Sequence, residues 1–447
     1  MVNGPSATEP AVDEQLRILA EEIKALVKAR KDCSHALAEC RKNNEDVTPV
    51  QQRMREIKSA LKAKKQAKQD LLAKMQSGSD QARSVDPLPR RLRASISDHP
   101  AAADSLRISP YTADLAAAVD DFVRHHPKAS PWHFCCVREV IQRVFGKQDV
   151  SLVARDPDGR ILGVLPLVRL KSRLFGDFLV SMPYFNYGGP LAVDGATETR
   201  LLEAAVKRCE ALGVEHMEIR ETQTREAWPQ RTEKVNMILP LPRDYAELDA
   251  GLGTKVRAQT KRAERENVRV QIGGVELLDA FYRVFAINMR DLGTPVYSRA
   301  FFRALLECDA FYTRLIVVEL DGRPVATAFL ASHGDMLEIP WASTLKQANA
   351  VSMNMFLYRH VLSHAIDHGY EFFDFGRSSR DSSTYRFKQQ WGAQPVQNYW
   401  HYWLAGGGEL PQLNPNNPKF RLLIATWRRL PVLLTRVIGP HVVKHLP

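Results

Sequence analysis

A strand-like run in this chain ends in groups that could hold an anion. Phe372-Phe373-Asp374-Phe375 reads as a short buried strand, and Gly376-Arg377-Ser378-Ser379 leaves it. In an α/β sheet, ligands collect in the crevice beyond the strand ends. Arg377 and Ser378 could grip a carboxylate or phosphate by a forked contact, or Arg377 could simply pair with Asp374 or Asp381. Lys388 follows closely, set among Tyr385, Phe387 and Trp391. It reads either as a cation in poorly screened surroundings or as a side chain snorkelling over aromatic surface. A second basic group is formed by Lys255, Arg257, Lys261 and Arg262. On a helix, Lys255 and Arg262 share one side while Arg257 and Lys261 share another, so the segment either faces an anion or is a solvated surface.

Other constellations carry less. His364 and His368 stand four apart without the glutamate of the zinc-protease pattern, and His125, His126, His133, Cys135 and Cys136 lack ligand spacing, so no metal is expected. No nucleophile elbow, P-loop or dinucleotide fingerprint occurs.

These residues need elements to position them. Residues 108–408 read as two copies of one mixed α/β unit. The first has apolar runs flanking Asp158-Gly159-Arg160, a helix at about 197–212 and a strand ending at Ile219; the second has apolar runs flanking Asp321-Gly322-Arg323, a helix at about 351–367 and the Phe372–Phe375 strand. Asp-Gly between apolar runs is a hairpin signal, and the same order recurring roughly 160 residues on argues for a tandem repeat. The expected units are 108–235 and 236–408, giving an α/β (α+β) fold.

Residues 11–77 contain no Trp, Phe or Tyr. Apolar positions from Leu16 to Cys40, and again from Val50 to Met75, alternate three- and four-residue steps, as in an antiparallel coiled-coil hairpin. Thr48 and Pro49 are placed to cap and open the second helix. That helix is strongly basic, so it is either a solvated face or an arm lying on RNA or on a partner. The hairpin resembles the N-terminal arm of seryl-tRNA synthetases, which implies a tRNA contact. Residues 78–107 read as a flexible linker. The tail, 416–447, is basic, apolar and Trp-bearing, suited either to a membrane interface or to packing on the body.

The 447 residues carry a net charge of +11 and a pI near 9.3, which favours anionic partners such as RNA, a membrane surface or phosphorylated substrates. Six cysteines without a CxxC pair argue for a reducing compartment. The first residues lack a secretory pattern and no run of about 18 apolar residues exists, so the expected location is cytoplasmic, with 416–447 as a peripheral seat on the inner face of the plasma membrane.

Several blocks resemble the Fem family, tandem GNAT-fold peptidyl transferases that aminoacylate peptidoglycan precursors. They are Ser181–Pro190, Lys255–Arg262, Trp341–Ser343, Asn354–Tyr358, Gly376-Arg377-Ser378, Phe387-Lys388 and Trp391–Ala393. The arrangement looks most like the Fem-related proteins of exosortase (PEP-CTERM) and exopolysaccharide loci. The resemblance implies an acyl- or aminoacyltransferase acting on a cell-envelope, peptidoglycan or glycan-linked precursor. Its donor would be acyl-CoA or aminoacyl-tRNA, although Arg290–Pro295 ends in proline and supplies no CoA motif. It implies Phe387-Lys388 at the reaction centre, the lysine stabilising a tetrahedral oxyanion. It also implies substrate contacts from Asn186, Tyr187, Lys255, Arg257, Lys261, Arg262, Trp341, Asn354, Arg377, Ser378 and Trp391. No paired base stands out, so proton transfer would be substrate-assisted. The alternative is a non-catalytic RNA- or scaffold-binding protein using the basic hairpin.

Overall fold

A computed structural model of the chain describes scattered positions between 18 and 43, residues 46–79, 88–94, 106–411 apart from 173, 174 and 226, and 418–446. The chain divides into two compact units, Met1–Pro87 and Leu88–Pro447.

In the first unit, α1 (Thr48–Ser79) starts where the Thr-Pro signal puts it. Asp46 shares the capping: its carboxylate accepts both the Thr48 backbone N–H (2.9 Å) and its hydroxyl (2.6 Å). Ile57 and Leu61 of the expected seam are buried, and the described positions between 18 and 40 are helical. They touch α1 through a Glu22–Lys64 ion pair (2.7 Å) and a Cys33 thiol donating to the Val50 carbonyl (3.3 Å). The rest of the expected first helix lies outside the described residues.

The second unit opens with a helical turn, α2 (Arg90–Arg93), inside the stretch expected to be linker. The first α/β module then holds β1 (Arg107–Pro110), α3 (Ala116–His125), α4 (Cys135–Phe145), β2 (Gln148–Asp149), β3 (Leu152–Arg155), β4 (Ile161–Leu165), β5 (Val168–Ser172), β6 (Gly176–Val180), β7 (Leu191–Ala192), α5 (Gly195–Leu212), β8 (His216–Glu221) and β9 (Gln230–Arg231). The second holds β10 (Lys234–Pro240), α6 (Tyr245–Gly251), α7 (Thr254–Thr260), β11 (Val268–Gly273), α8 (Leu278–Leu292), α9 (Arg299–Leu306), β12 (Tyr312–Leu320), β13 (Arg323–His333), β14 (Met336–Thr344), α10 (Met353–Asp367), β15 (Phe372–Ser379), α11 (Ser383–Gln389) and β16 (Gln394–Gln397). The chain closes with β17 (Tyr399–Leu404), α12 (Pro418–Trp427) and α13 (Val432–Val443).

Both Asp-Gly hairpins form. Asp321 and Gly322 take positive φ (51° and 72°), the conformation that a two-residue turn between β12 and β13 requires. Each module then repeats one construction: an antiparallel pair, a helix, and a strand returning parallel to the last. In the first, β6 runs parallel to β8; in the second, β14 runs parallel to β15.

One strand crosses between the modules. The aromatic run Tyr399–Leu404, expected in the second module, pairs antiparallel with β8 of the first as β17. The strand order of that sheet is β2-β5-β6-β8-β17-β9, while the larger sheet runs β11-β12-β13-β14-β15-β10-β16. One apolar core joins Trp132, Phe134 and Phe185 of the first module to Phe281, Phe301, Phe302 and Phe329 of the second, with Trp341 packed against it.

The sheet geometry opens a fork. Glu338 opposite Asp374 is the last parallel pair between β14 and β15; beyond it the strands part. On its other side β15 bulges against β10 between the Asn236–Arg377 and Ile238–Asp374 pairs, with Gly376 at φ 77°. A glycine in the left-handed region is the residue such a bulge favours.

Candidate active site

A cavity of about 410 Å³ fills the fork. This lies within the range typical of small-molecule sites, about 300–1,000 Å³. Its wall combines Trp132, Phe185 and Asn186 of the first module with Glu338, Trp341, Tyr358, Asp374, Arg377 and Lys388 of the second, and Val443 of the tail.

Lys388 is positioned by α11, whose first turn is capped by the Ser382 side chain accepting from the Tyr385 N–H (3.1 Å). The lysine is buried and its ammonium donates to the carbonyls of Gly376 (2.9 Å) and Arg377 (3.1 Å), beside the bulge. An ammonium has three donors. Two are spent on these carbonyls, which leaves one for a ligand in the cavity. Burial pushes its pKa down to about 8; Asp374 opposes the shift and Arg377 adds to it. The snorkelling reading is therefore set aside, because the head group of Lys388 is inside rather than in water. Phe387 packs its ring on Tyr358 (centroids 5.0 Å apart) and does not line the cavity. It supports the wall behind the lysine.

Behind the fork lies a buried polar network that the sequence did not reveal. Arg91 of α2 donates to Glu338 Oε1, lies 3.7 Å from Asp374 Oδ2, and stacks over the Tyr187 ring at 4.2 Å. The Trp132 indole N–H donates to the other Glu338 oxygen (3.0 Å). Asp374 Oδ2 accepts from the Tyr187 hydroxyl (2.9 Å) and the Asn236 amide (2.9 Å), and its Oδ1 accepts from the Gly376 N–H (2.6 Å). Asn398 closes the chain by donating to the Asn236 side-chain carbonyl (2.7 Å). Burial, opposed by Arg91, pushes the Glu338 carboxyl above its ordinary range. Glu338 and Asp374 had a sequence signal: each is the lone acid of its strand, with apolar residues on both sides of it.

Arg377 makes no ion pair with Asp374 or Asp381. Its guanidinium lies over the Trp400 ring at 4.6 Å, and Arg220 covers the same indole at 4.4 Å. It is open to solvent through the cavity yet surrounded by protein, so burial and the neighbouring Arg220 lower its pKa to about 10. An arginine without a carboxylate beside a cavity is free to take an anion. Ser378 is buried and its hydroxyl has no partner.

The remaining expected contacts divide. Asn186 and Trp341 line the cavity. Tyr187 does not, because its hydroxyl is consumed by Asp374. Trp391 is core, 1% exposed, packed behind Tyr358. Asn354 sits at the start of α10 and accepts from Thr344 (3.3 Å), outside the cavity wall. Lys255, Arg257, Lys261 and Arg262 lie on and just after α7, away from the cavity; Lys255, Lys261 and Arg262 are exposed, and Lys261 pairs loosely with Asp249 (3.7 Å). Short helix and solvated surface explain their pattern. Arg290 is tied to Asp291 and to the Leu430 carbonyl. Among the described residues no group of histidine, cysteine and carboxylate side chains could hold a metal.

Gly188 is needed for close packing. A Cβ there would lie 2.5 Å from Met182 Cβ and 2.6 Å from the Ser181 carbonyl, in a loop that already holds Met182 and Tyr184 at positive φ. Gly188→Ala is expected to cost about 1–3 kcal/mol by forcing that loop apart, read as a shift in the chemical-denaturation midpoint at unchanged slope.

Comparisons with known proteins agree with this architecture. Residues 253–389 match the family model described as the acetyltransferase (GNAT) domain. The fold is similar to that of FemX in its crystal structure, at 14% identity and a TM-score of 0.50, covering 71% of this chain and 100% of that one. Weaker likenesses are to the C-terminal domain of a putative lysylphosphatidylglycerol synthetase from Agrobacterium fabrum (14% identity, 65% and 92% covered, TM-score 0.45) and to L-PGS from Bacillus licheniformis (14%, 67% and 91%, TM-score 0.43). No curated protein sequence matches the chain. Residues 253–389 thus match a GNAT acetyltransferase domain, within a mixed α/β fold similar to that of FemX.

Proposed function

We propose that this protein is an acyl- or aminoacyltransferase that moves an activated acyl group onto an amine or hydroxyl of a cell-envelope, peptidoglycan or exopolysaccharide-linked acceptor. The observation that carries the reading is Lys388: a buried ammonium fixed on two backbone carbonyls, with a donor left over, at the wall of the β14–β15 fork. The GNAT match over 253–389 spans this fork and lysine.

The acyl carbonyl lies in the fork with its oxygen toward Lys388. The acceptor nitrogen or oxygen attacks the carbonyl carbon, forming the new bond while the π pair moves onto oxygen. The Lys388 ammonium donates to that oxyanion without losing its proton. Collapse expels the thiolate of acyl-CoA or the ribose oxygen of aminoacyl-tRNA, which leaves with the proton that Glu338 takes from the acceptor. The acceptor's proton passes to Glu338, whose raised pKa suits a base, in place of the substrate-assisted transfer inferred from sequence. Arg377 holds an anionic group of donor or acceptor, whereas Ser378, the next residue of β15, is buried and outside the cavity wall.

A charged Lys388 is required, and lysine loses its charge as pH rises. kcat/KM is therefore expected to be bell-shaped, lost in acid as the Glu338 base takes up a proton and falling on the alkaline side through the lysine's pKa of about 8, by roughly tenfold per unit beyond it. The profile, taken with each donor class, tests the assignment: a rate that stays level well above that pKa would remove Lys388 from the reaction centre.

A further inference from the structure

The tail expected either to pack on the body or to meet a membrane is built to do both. Thr435, Gly439 and Val443, four apart along α13, are buried against the body. A Cβ at Gly439 would lie 2.8 Å from the Val296 backbone nitrogen, so the helix is seated as closely as backbone allows. The Tyr184 hydroxyl donates to the Lys444 carbonyl (2.9 Å), and Arg428 to the Leu292 carbonyl (3.2 Å). The opposite face of α13 is apolar and bare: Leu433 (71% exposed), Leu434, Val437 (61%) and Ile438. A docked helix of a water-surrounded protein would put polar residues there.

Charge selects the occupant. Residues 410–447 contain Lys419, Arg421, Arg428, Arg429, Arg436 and Lys444 and no aspartate or glutamate. A second copy of the chain would bring the same cations against these, a repulsive pairing. Anionic headgroups above an acyl layer match both the cations and the apolar face. No described helix is long and apolar enough to cross a bilayer, so the tail would lie along the surface.

We propose that the outer face of α13, with the Arg428-Arg429 turn before it, seats on an anionic lipid surface. Because α13 also gives Val443 to the cavity wall, seating holds the cavity within about a helix diameter, ~10 Å, of the headgroups. The docking does not depend on the transfer chemistry, and its test reads no turnover.

The test is co-sedimentation of the full chain with phosphatidylglycerol-containing vesicles and with pure phosphatidylcholine vesicles, beside light scattering of the free protein. Binding is expected only to the anionic vesicles, weakening with salt, and Leu433→Glu with Val437→Glu should lower partitioning at least ~10-fold at unchanged thermal midpoint. Arg429→Gln, which leaves the Arg428 contact to the Leu292 carbonyl in place, should weaken it ~5-fold by removing one charge, at about 1 kcal/mol per cation. Three results would overturn the proposal: no binding by the unaltered chain, equal binding to both vesicles, or a dimer that the Glu variants make monomeric while vesicle binding is absent.

Discussion

Arg91→Ala is expected to destabilise the second compact unit by about 3–5 kcal/mol, the cost of leaving one partner of a buried ion pair uncompensated. Arg91 is almost wholly buried, and it is the cation beside both Glu338 and Asp374. Removing it leaves two carboxylates facing each other across the fork with no positive charge in contact, and strips the Tyr187 ring of its guanidinium. Denaturant unfolding reads the loss directly. The pair is not ideal, since Arg91 Nε and Nη2 have no hydrogen-bond partner. Arg91→Met combined with Glu338→Gln should therefore recover most of the stability while removing the proposed base, so stability and turnover would part in the double variant. A single variant as stable as the unaltered chain would mean that water replaces the guanidinium and that the fork needs no internal cation.

Lys388→Ala is expected to reduce the transfer rate about 10²–10³-fold, the usual cost of removing one preorganised oxyanion donor. The effect should fall mainly on kcat, because the donor acts on charge that exists only in the transition state. Loss of two hydrogen bonds to the Gly376 and Arg377 carbonyls will also lower stability, so circular dichroism and the thermal midpoint must accompany the rates. Lys388→Arg keeps the charge but brings a planar fork in place of a compact ammonium, and only partial recovery is expected. If Lys388→Ala raised KM alone, the lysine would be a binding group rather than part of the oxyanion's environment.

The legible part of this fold was local. Asp158-Gly159 and Asp321-Gly322 announce hairpins because the turn chemistry is carried by adjacent residues, and the repeat follows from their spacing. Lys388 could be singled out because aromatics three residues either side of it predict a poorly hydrated neighbourhood, and the Fem resemblance pointed to the same residue.

What stayed hidden was tertiary. Arg91 sits in a stretch rich in Ser, Asp, Pro and Arg, where charge reads as solvation; its burial depends on Glu338 and Asp374, more than 240 residues away. The passage of β17 into the first sheet depends on an open edge at β8 that no local pattern displays. Tyr187 and Trp391 have the residue types of binding contacts, but the network and the core claim them first. The two-sided basic pattern of α7 lies on the surface because periodicity tells which residues share a side, not what that side faces.

The central claim is that acyl transfer occurs at the β14–β15 fork under the Lys388 ammonium. Its most direct test is transfer of an isotope-labelled acyl group, from acyl-CoA and from aminoacyl-tRNA in parallel, into a pool of cell-envelope precursors, with the unaltered chain and Lys388→Ala side by side. Label should enter the pool from one donor with the unaltered chain and fall about 10²-fold or more with the variant. Transfer at the same rate by both proteins, or from neither donor with the folded, unaltered chain, would contradict it.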